Sequence, residues 1–219
     1  MGAGTQPVTA RRPIRRRLTL AIATTALAAM PMACGYQGLS LPAQSAITLK
    51  SAGVLAEPTP DSAAVTYNPA LAPVGSRLAV TMTPSGTSTN VEATVSGLVP
   101  NRSYAVRGHQ NACSDDPNFA GSSYQNRIDP AATSRKPSTN PEYANPNNEI
   151  WLDVRTDAAG SGTSSVTVPF VFTDRGPGSV MLHEGQETAT GPAQAGEAGA
   201  RIACLTLTAA RPQDNTLFS

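Results

Sequence analysis

From Ser76 onward the chain alternates apolar and polar residues over short stretches. Leu78, Val80 and Met82 stand two apart with Ala79 and Thr81 between them, the period of a half-buried strand. Residues 83–90 carry turn chemistry, and residues 91–95 and 103–109 follow as strand candidates separated by the run Gly-Leu-Val-Pro-Asn. Residues 133–149 form a long polar stretch interrupted by Pro137, Pro141 and Pro146. Residues 150–156 then read as a strand ending in the turn Asp157-Ala158-Ala159-Gly160. In 164–172, Val166, Val168 and Phe170 alternate with serine, threonine and proline, and 179–183 and 201–208 complete the set. Residues 35–75, rich in Ala, Pro, Ser and Thr, show little periodicity and read as a tether. Many short strands, Gly/Pro turns and no helical period outside the first 33 residues predict an all-β sandwich or barrel.

Composition agrees. The 219 residues include 18 glycines and 19 prolines, while charged residues make up only 14%, against about 25% in an average soluble chain. The formal charge of +1 conceals two unlike segments. Residues 1–34 hold Arg11, Arg12, Arg15, Arg16 and Arg17 and no acid, so the remainder is mildly acidic. A mildly acidic domain argues against nucleic acid as a partner, which calls for a basic excess.

The arginines introduce an export signal. Arg15-Arg16-Arg17 precede sixteen uncharged and mostly apolar residues, Leu18 to Ala33, too short for a membrane span of about 20 residues. The run around the arginines also resembles a twin-arginine signal. Pro31-Met32-Ala33-Cys34 resembles a bacterial lipobox, with Pro31 where leucine is usual. Cys34 is therefore the expected lipidation site and the membrane the expected partner, through a lipid anchor; cleavage near Ala33 that leaves a free thiol is the alternative. The predicted organisation is a signal peptide over 1–33, a lipid-anchored tether over 34–75, a β domain over 76–209 and a C-terminal tail over 210–219. Three cysteines are an odd number for an exported protein. Assigning Cys34 to lipid leaves Cys113 and Cys204 to pair in an oxidising compartment.

Candidate chemistry is sparse. The chain has two histidines, His109 and His183, and no GxSxG, P-loop, HExxH or CxxC motif. Asp115-Asp116 reads as a solvated turn, and Glu184 either orients the neighbouring His183 or faces water. The order of the pieces is more informative. VSGLVPNRSYAVRGHQNAC, AGSSYQN, SVMLHE and GEAGARIAC together resemble the copper-zinc superoxide dismutase family over about residues 76–209. The resemblance implies a Greek-key β-sandwich with a Cys113–Cys204 disulfide. His109 falls on the second histidine of the family's His-x-His pair, His183 on its late copper histidine, and Arg201 on the arginine that guides superoxide. Three ligand positions are lost: Arg107 stands where the first histidine belongs, Ser123 at the bridging histidine and Asn126 at a zinc histidine.

Residues 107 and 109 share a strand face, so the Arg107 guanidinium would sit near the copper position. It stays protonated and has no lone pair to give. The expectation is a non-catalytic structural or binding protein in the cell envelope, or secreted, with an eroded metal site, no resident cofactor and a possible protein partner. A weakly active copper-only superoxide dismutase is the alternative, and copper is the cofactor it would use. VSGLVPNRSYAVR also resembles fibronectin type III modules, which implies a binding module.

Overall fold

The computed structural model describes residues 45–133 and 136–210. The signal segment, Cys34, the first part of the tether and the tail from 211 onward lie outside the described residues. Within them the protein is all-β, with nine strands: β1 (Leu49–Val54), β2 (Ala64–Thr66), β3 (Arg77–Ser85), β4 (Ser88–Ser96), β5 (Ser103–His109), β6 (Val154–Arg155), β7 (Gly162–Val168), β8 (Ser179–His183) and β9 (Arg201–Thr206). One sheet has the order β1-β3-β4-β7 and the other β2-β9-β8-β5-β6, with every strand pair antiparallel. The helical content of the described residues is a single 3-10 turn, Pro117–Ala120, whose cap Asp116 accepts from the Asn118 amide at 2.8 Å. That fits the reading of Asp115-Asp116 as a turn.

The alternating residues build the interior. Leu78, Val80 and Met82 of β3 and Val91, Ala93 and Val95 of β4 face inward. They meet Val106, Val180, Leu182, Ala203 and Leu205 of the opposite sheet in one core. The first sheet turns its other face to solvent, hence its clean alternation. Strands β5, β8 and β9 are buried on both faces, because the long connections 110–149 and 184–200 cover the outer side of their sheet. A second apolar cluster of Val65, Cys113, Ala120, Met181 and Cys204 lies beneath that cover. There Cys113 and Cys204 form a disulfide across 91 positions of sequence.

Four local differences from the sequence-based expectation have physical causes. The stretch expected as a tether carries β1 and β2 from residue 49 onward; β1 turns Leu49, Ser51 and Gly53 inward, too weak an apolar contrast to show as a strand. Residues 83–90 are mostly strand, since β3 and β4 pair up to Ser85–Ser88 and only Gly86 and Thr87 turn the hairpin. The 150–156 segment pairs regularly only at Val154–Arg155. Upstream of it the Asp153 carboxylate, rather than a backbone carbonyl, accepts from the Val106 amide. Finally, β7 stops at Val168 because Pro169 has no N–H for the ladder; Phe170 and Phe172 turn into the core against Tyr124.

Candidate functional site

The outer face of β5, β8 and β9 positions the site. On β5 the inward Val106 alternates with Arg107 and His109, which face outward under the long connections. His183 ends β8. Between Leu182 and His183 the β8–β9 register slips by one residue, so His183 lies opposite Arg201 rather than Ile202. This bulge turns the arginine to the same face as the imidazoles. Arg107, His109, His183 and Arg201 all line one cavity of about 570 Å³, walled by Ser122–Ser123, 137–139 and 195–199.

The two histidines meet. Their Nε2 atoms stand 3.2 Å apart and their rings stack at 23°. Each ring is fixed from behind: His109 Nδ1 donates to the Gly121 carbonyl at 3.1 Å and His183 Nδ1 to the Gly199 carbonyl at 3.0 Å. A carbonyl only accepts, so Nδ1 carries the proton in both rings and each neutral ring presents an unprotonated Nε2. Burial holds His109 well below the ordinary histidine range, with His183 and Arg201 adding to the effect. Burial also pushes His183 down to about 4; the Gly199 carbonyl opposes this, and the charges of Arg107 and Arg201 reinforce it. Both rings are therefore neutral at neutral pH.

Arg107 is 5% exposed and pairs with Glu149, itself 2% exposed. Burial lowers the guanidinium's pKa, and the Glu149 charge opposes that shift. Glu149 also accepts from Trp151 Nε1 at 2.8 Å and Gln125 Nε2 at 2.9 Å. The Trp151 ring lies 5.4 Å from the Arg107 guanidinium carbon. Above them Gly196 closes the cover: a Cβ there would come 3.0 Å from an Arg107 nitrogen, and its φ of +80° suits glycine. Arg201 donates to the Pro117 carbonyl at 2.7 Å and the Gly121 carbonyl at 2.6 Å. Gly121 O thus anchors both Arg201 and His109.

The other predicted positions separate. Ser123 lines the cavity, and its backbone bridges that of His109. Asn126 is exposed and lies outside the cavity, with its backbone amide on Asn148 O. Glu184 is exposed and does not orient His183, whose Nδ1 belongs to Gly199. Cys113 and Cys204 lie behind the site rather than in it.

Sequence reasoning missed Glu149, Gln125 and Asp153. Asp153 accepts from both the amide and the hydroxyl of Thr188, tying the 184–200 connection to β5. The available signal was an acid beside the apolar run Ile150-Trp151-Leu152, where burial demands a partner.

The donor set does not fit a cycling copper centre. It offers two imidazole nitrogens, while the adjacent strand position holds a cation already tied to its carboxylate. Among the described residues no group of three or more His, Cys, Asp or Glu side chains is arranged to hold a metal ion. Comparison with known families and curated proteins finds no family model and no curated protein that matches this chain.

Proposed function

We propose that this chain is a non-catalytic domain of the copper-zinc superoxide dismutase type, exported and lipid-anchored at Cys34, that serves as a binding protein of the cell envelope. One observation carries the reading. At the strand position where the resemblance puts a third nitrogen ligand, Arg107 is locked onto Glu149 beside the paired histidines. A protonated guanidinium donates no lone pair, and two imidazoles are too few to hold copper in both oxidation states. The segment order, the Cys113–Cys204 bridge behind the late strand and Arg201 beside His109 and His183 support the family assignment. The Ser123 and Asn126 positions support the loss of the bridging and zinc ligands.

A copper-only dismutase is the second reading. The two unprotonated Nε2 atoms beside Arg201 favour it, since they are the donors such a site would retain. The deciding experiment exposes the purified full chain to copper, removes excess metal and measures bound copper and superoxide dismutation. The non-catalytic reading expects less than one copper per chain and no dismutation above free buffer. Stoichiometric copper together with catalytic dismutation would overturn it.

A further inference from the structure

We propose that strand β7 is a docking edge for a second copy of this chain, pairing antiparallel with its own counterpart about a two-fold axis at Ser165. Two four-stranded sheets then join into one of eight strands. The proposal goes beyond the non-catalytic reading and does not depend on it.

Sheet edges carry unpaired N–H and C=O groups, and proteins usually shorten or cover them. Three of the four edges here are treated in that way. Beside β1, the Thr208 carbonyl accepts from the Lys50 amide at 3.1 Å and the Ala210 amide donates to the Thr48 carbonyl at 2.9 Å. Strand β2 has only three residues, and Ala56 flanks it, accepting from the Thr66 amide at 3.0 Å. Strand β6 has two residues. Strand β7 runs for seven, Gly162–Val168, with no charge and no proline, and pairs with β4 without a bulge. Among the described residues it has no ladder partner on its other side.

The groups on that edge are complementary to themselves. The two-residue turn Gly86-Thr87 closes on Ser85 and Ser88 as a hydrogen-bonded pair. Alternation then commits the main-chain groups of Gly162, Ser164, Val166 and Val168 to β4 and turns those of Thr163, Ser165 and Thr167 away from the sheet. About a two-fold axis at Ser165, Thr163 of one copy meets Thr167 of the other and Ser165 meets itself, so every outward N–H and C=O finds a partner. The ladder also ends symmetrically. The next positions to face each other are Ser161 and Pro169: the Ser161 carbonyl already accepts from the Asp157 amide at 2.7 Å, and Pro169 has no N–H. The exposed hydroxyls of Thr163, Ser165 and Thr167 line up across the join, as cross-strand pairs favour, and the half-buried Val166 gains cover. Glu92, paired with Ser165 on the adjoining strand, stays about 14 Å from its copy, beyond the screening length of about 8 Å. An unrelated strand gains nothing from this symmetry, whereas a second copy uses all of it. The contact is smaller than the roughly 1,200 Å² of a standard interface, so the association is weak.

The test is sedimentation velocity of the full chain across concentrations up to about 1 mM, where a dimer should appear. Ser165→Asp and Ser165→Lys each place like charges on the axis at an exposed position, and each should weaken dimerisation about tenfold or more. An equimolar mixture of the Ser165→Asp and Ser165→Lys chains should dimerise at least as well as the unaltered protein, which shows that both variants fold. Register is read by oxidative cross-linking in the Cys34→Ser chain. Ser165→Cys should link to itself, since a hydrogen-bonded pair holds Cα atoms about 5.5 Å apart; Thr163→Cys should not, its copy lying about 14 Å away. A chain that stays monomeric would leave the edge to a strand of another protein and overturn the proposal. A dimer indifferent to Ser165→Asp would place the contact on another face and overturn it equally. So would a charge-swapped mixture that fails to associate, or Thr163→Cys cross-linking as readily as Ser165→Cys.

Discussion

Removing the Glu149 charge should be among the most costly single changes in the protein. Its two oxygens accept from three buried donors, on Arg107, Trp151 and Gln125. Glu149→Gln keeps the shape but brings an amide N–H₂ to face one of them. Gln125 cannot turn its own amide over to compensate, because its Oε1 already accepts from the Asp129 amide at 3.0 Å. The Arg107 charge loses its ion-pair partner in a buried site, which costs about 3–5 kcal/mol. With a urea slope of about 2 kcal/mol per molar, the unfolding midpoint should fall by about 2 M. Arg107→Met should also destabilise, by stranding the carboxylate. The double variant Arg107→Met/Glu149→Gln removes both charges, and the oxygen of the introduced amide can still accept from Trp151. Urea unfolding followed by tryptophan fluorescence should therefore find the double variant more stable than either single one. If the two single losses simply add, the pair is not coupled and the account of the site's foundation is wrong.

Three other outcomes follow from the geometry. Cys113→Ala/Cys204→Ala should lose about 4–5 kcal/mol of stability, the chain-entropy worth of a loop this long, measurable as a lowered urea midpoint under non-reducing conditions. Lowering the pH from 6.5 towards 4 should destabilise the fold, since the unfolded chain binds protons at His183 that the folded chain refuses; the loss approaches about 3 kcal/mol from that residue alone, it is absent above about pH 7, and a flat midpoint over this range would contradict it. Gly160→Ala should lower the melting temperature sharply, because φ is +75° and the added Cβ would collide with the Leu98 carbonyl oxygen; an unchanged melting temperature would show that the turn relaxes freely.

The strands were legible where apolar contrast was strong. Leu78-Val80-Met82 on β3 and Val91-Ala93-Val95 on β4 alternate because one face of their sheet meets water. Strand β1 was hidden because two of its inward positions are Ser51 and Gly53, and β2 is only three residues long. At the site, strand periodicity suffices to put Arg107 and His109 on one face. Bringing His183 to them depends on the β5–β8 pairing, and Arg201 joins through a one-residue slip that no local pattern announces. Glu149 is separated from Arg107 by a connection that leaves the sheet and returns across it. Local periodicity carries no information about such a return.

The carbonyl of Gly121, which holds both His109 and Arg201, separates two routes by which this surface can diverge. Because the contact is made by main chain, the exposed residues Asp115, Asn118 and Phe119 can change their side chains widely without disturbing the imidazole or the guanidinium, whereas Asp116 caps the turn and Ala120 is buried. An inserted or deleted residue between Cys113 and Gly121 would move that oxygen and misalign both groups at once. A library that randomises those three exposed positions should retain the surface, while one that varies length should lose it. Alterations of length, more than of chemistry, are the means by which this loop would redirect the protein to a different ligand.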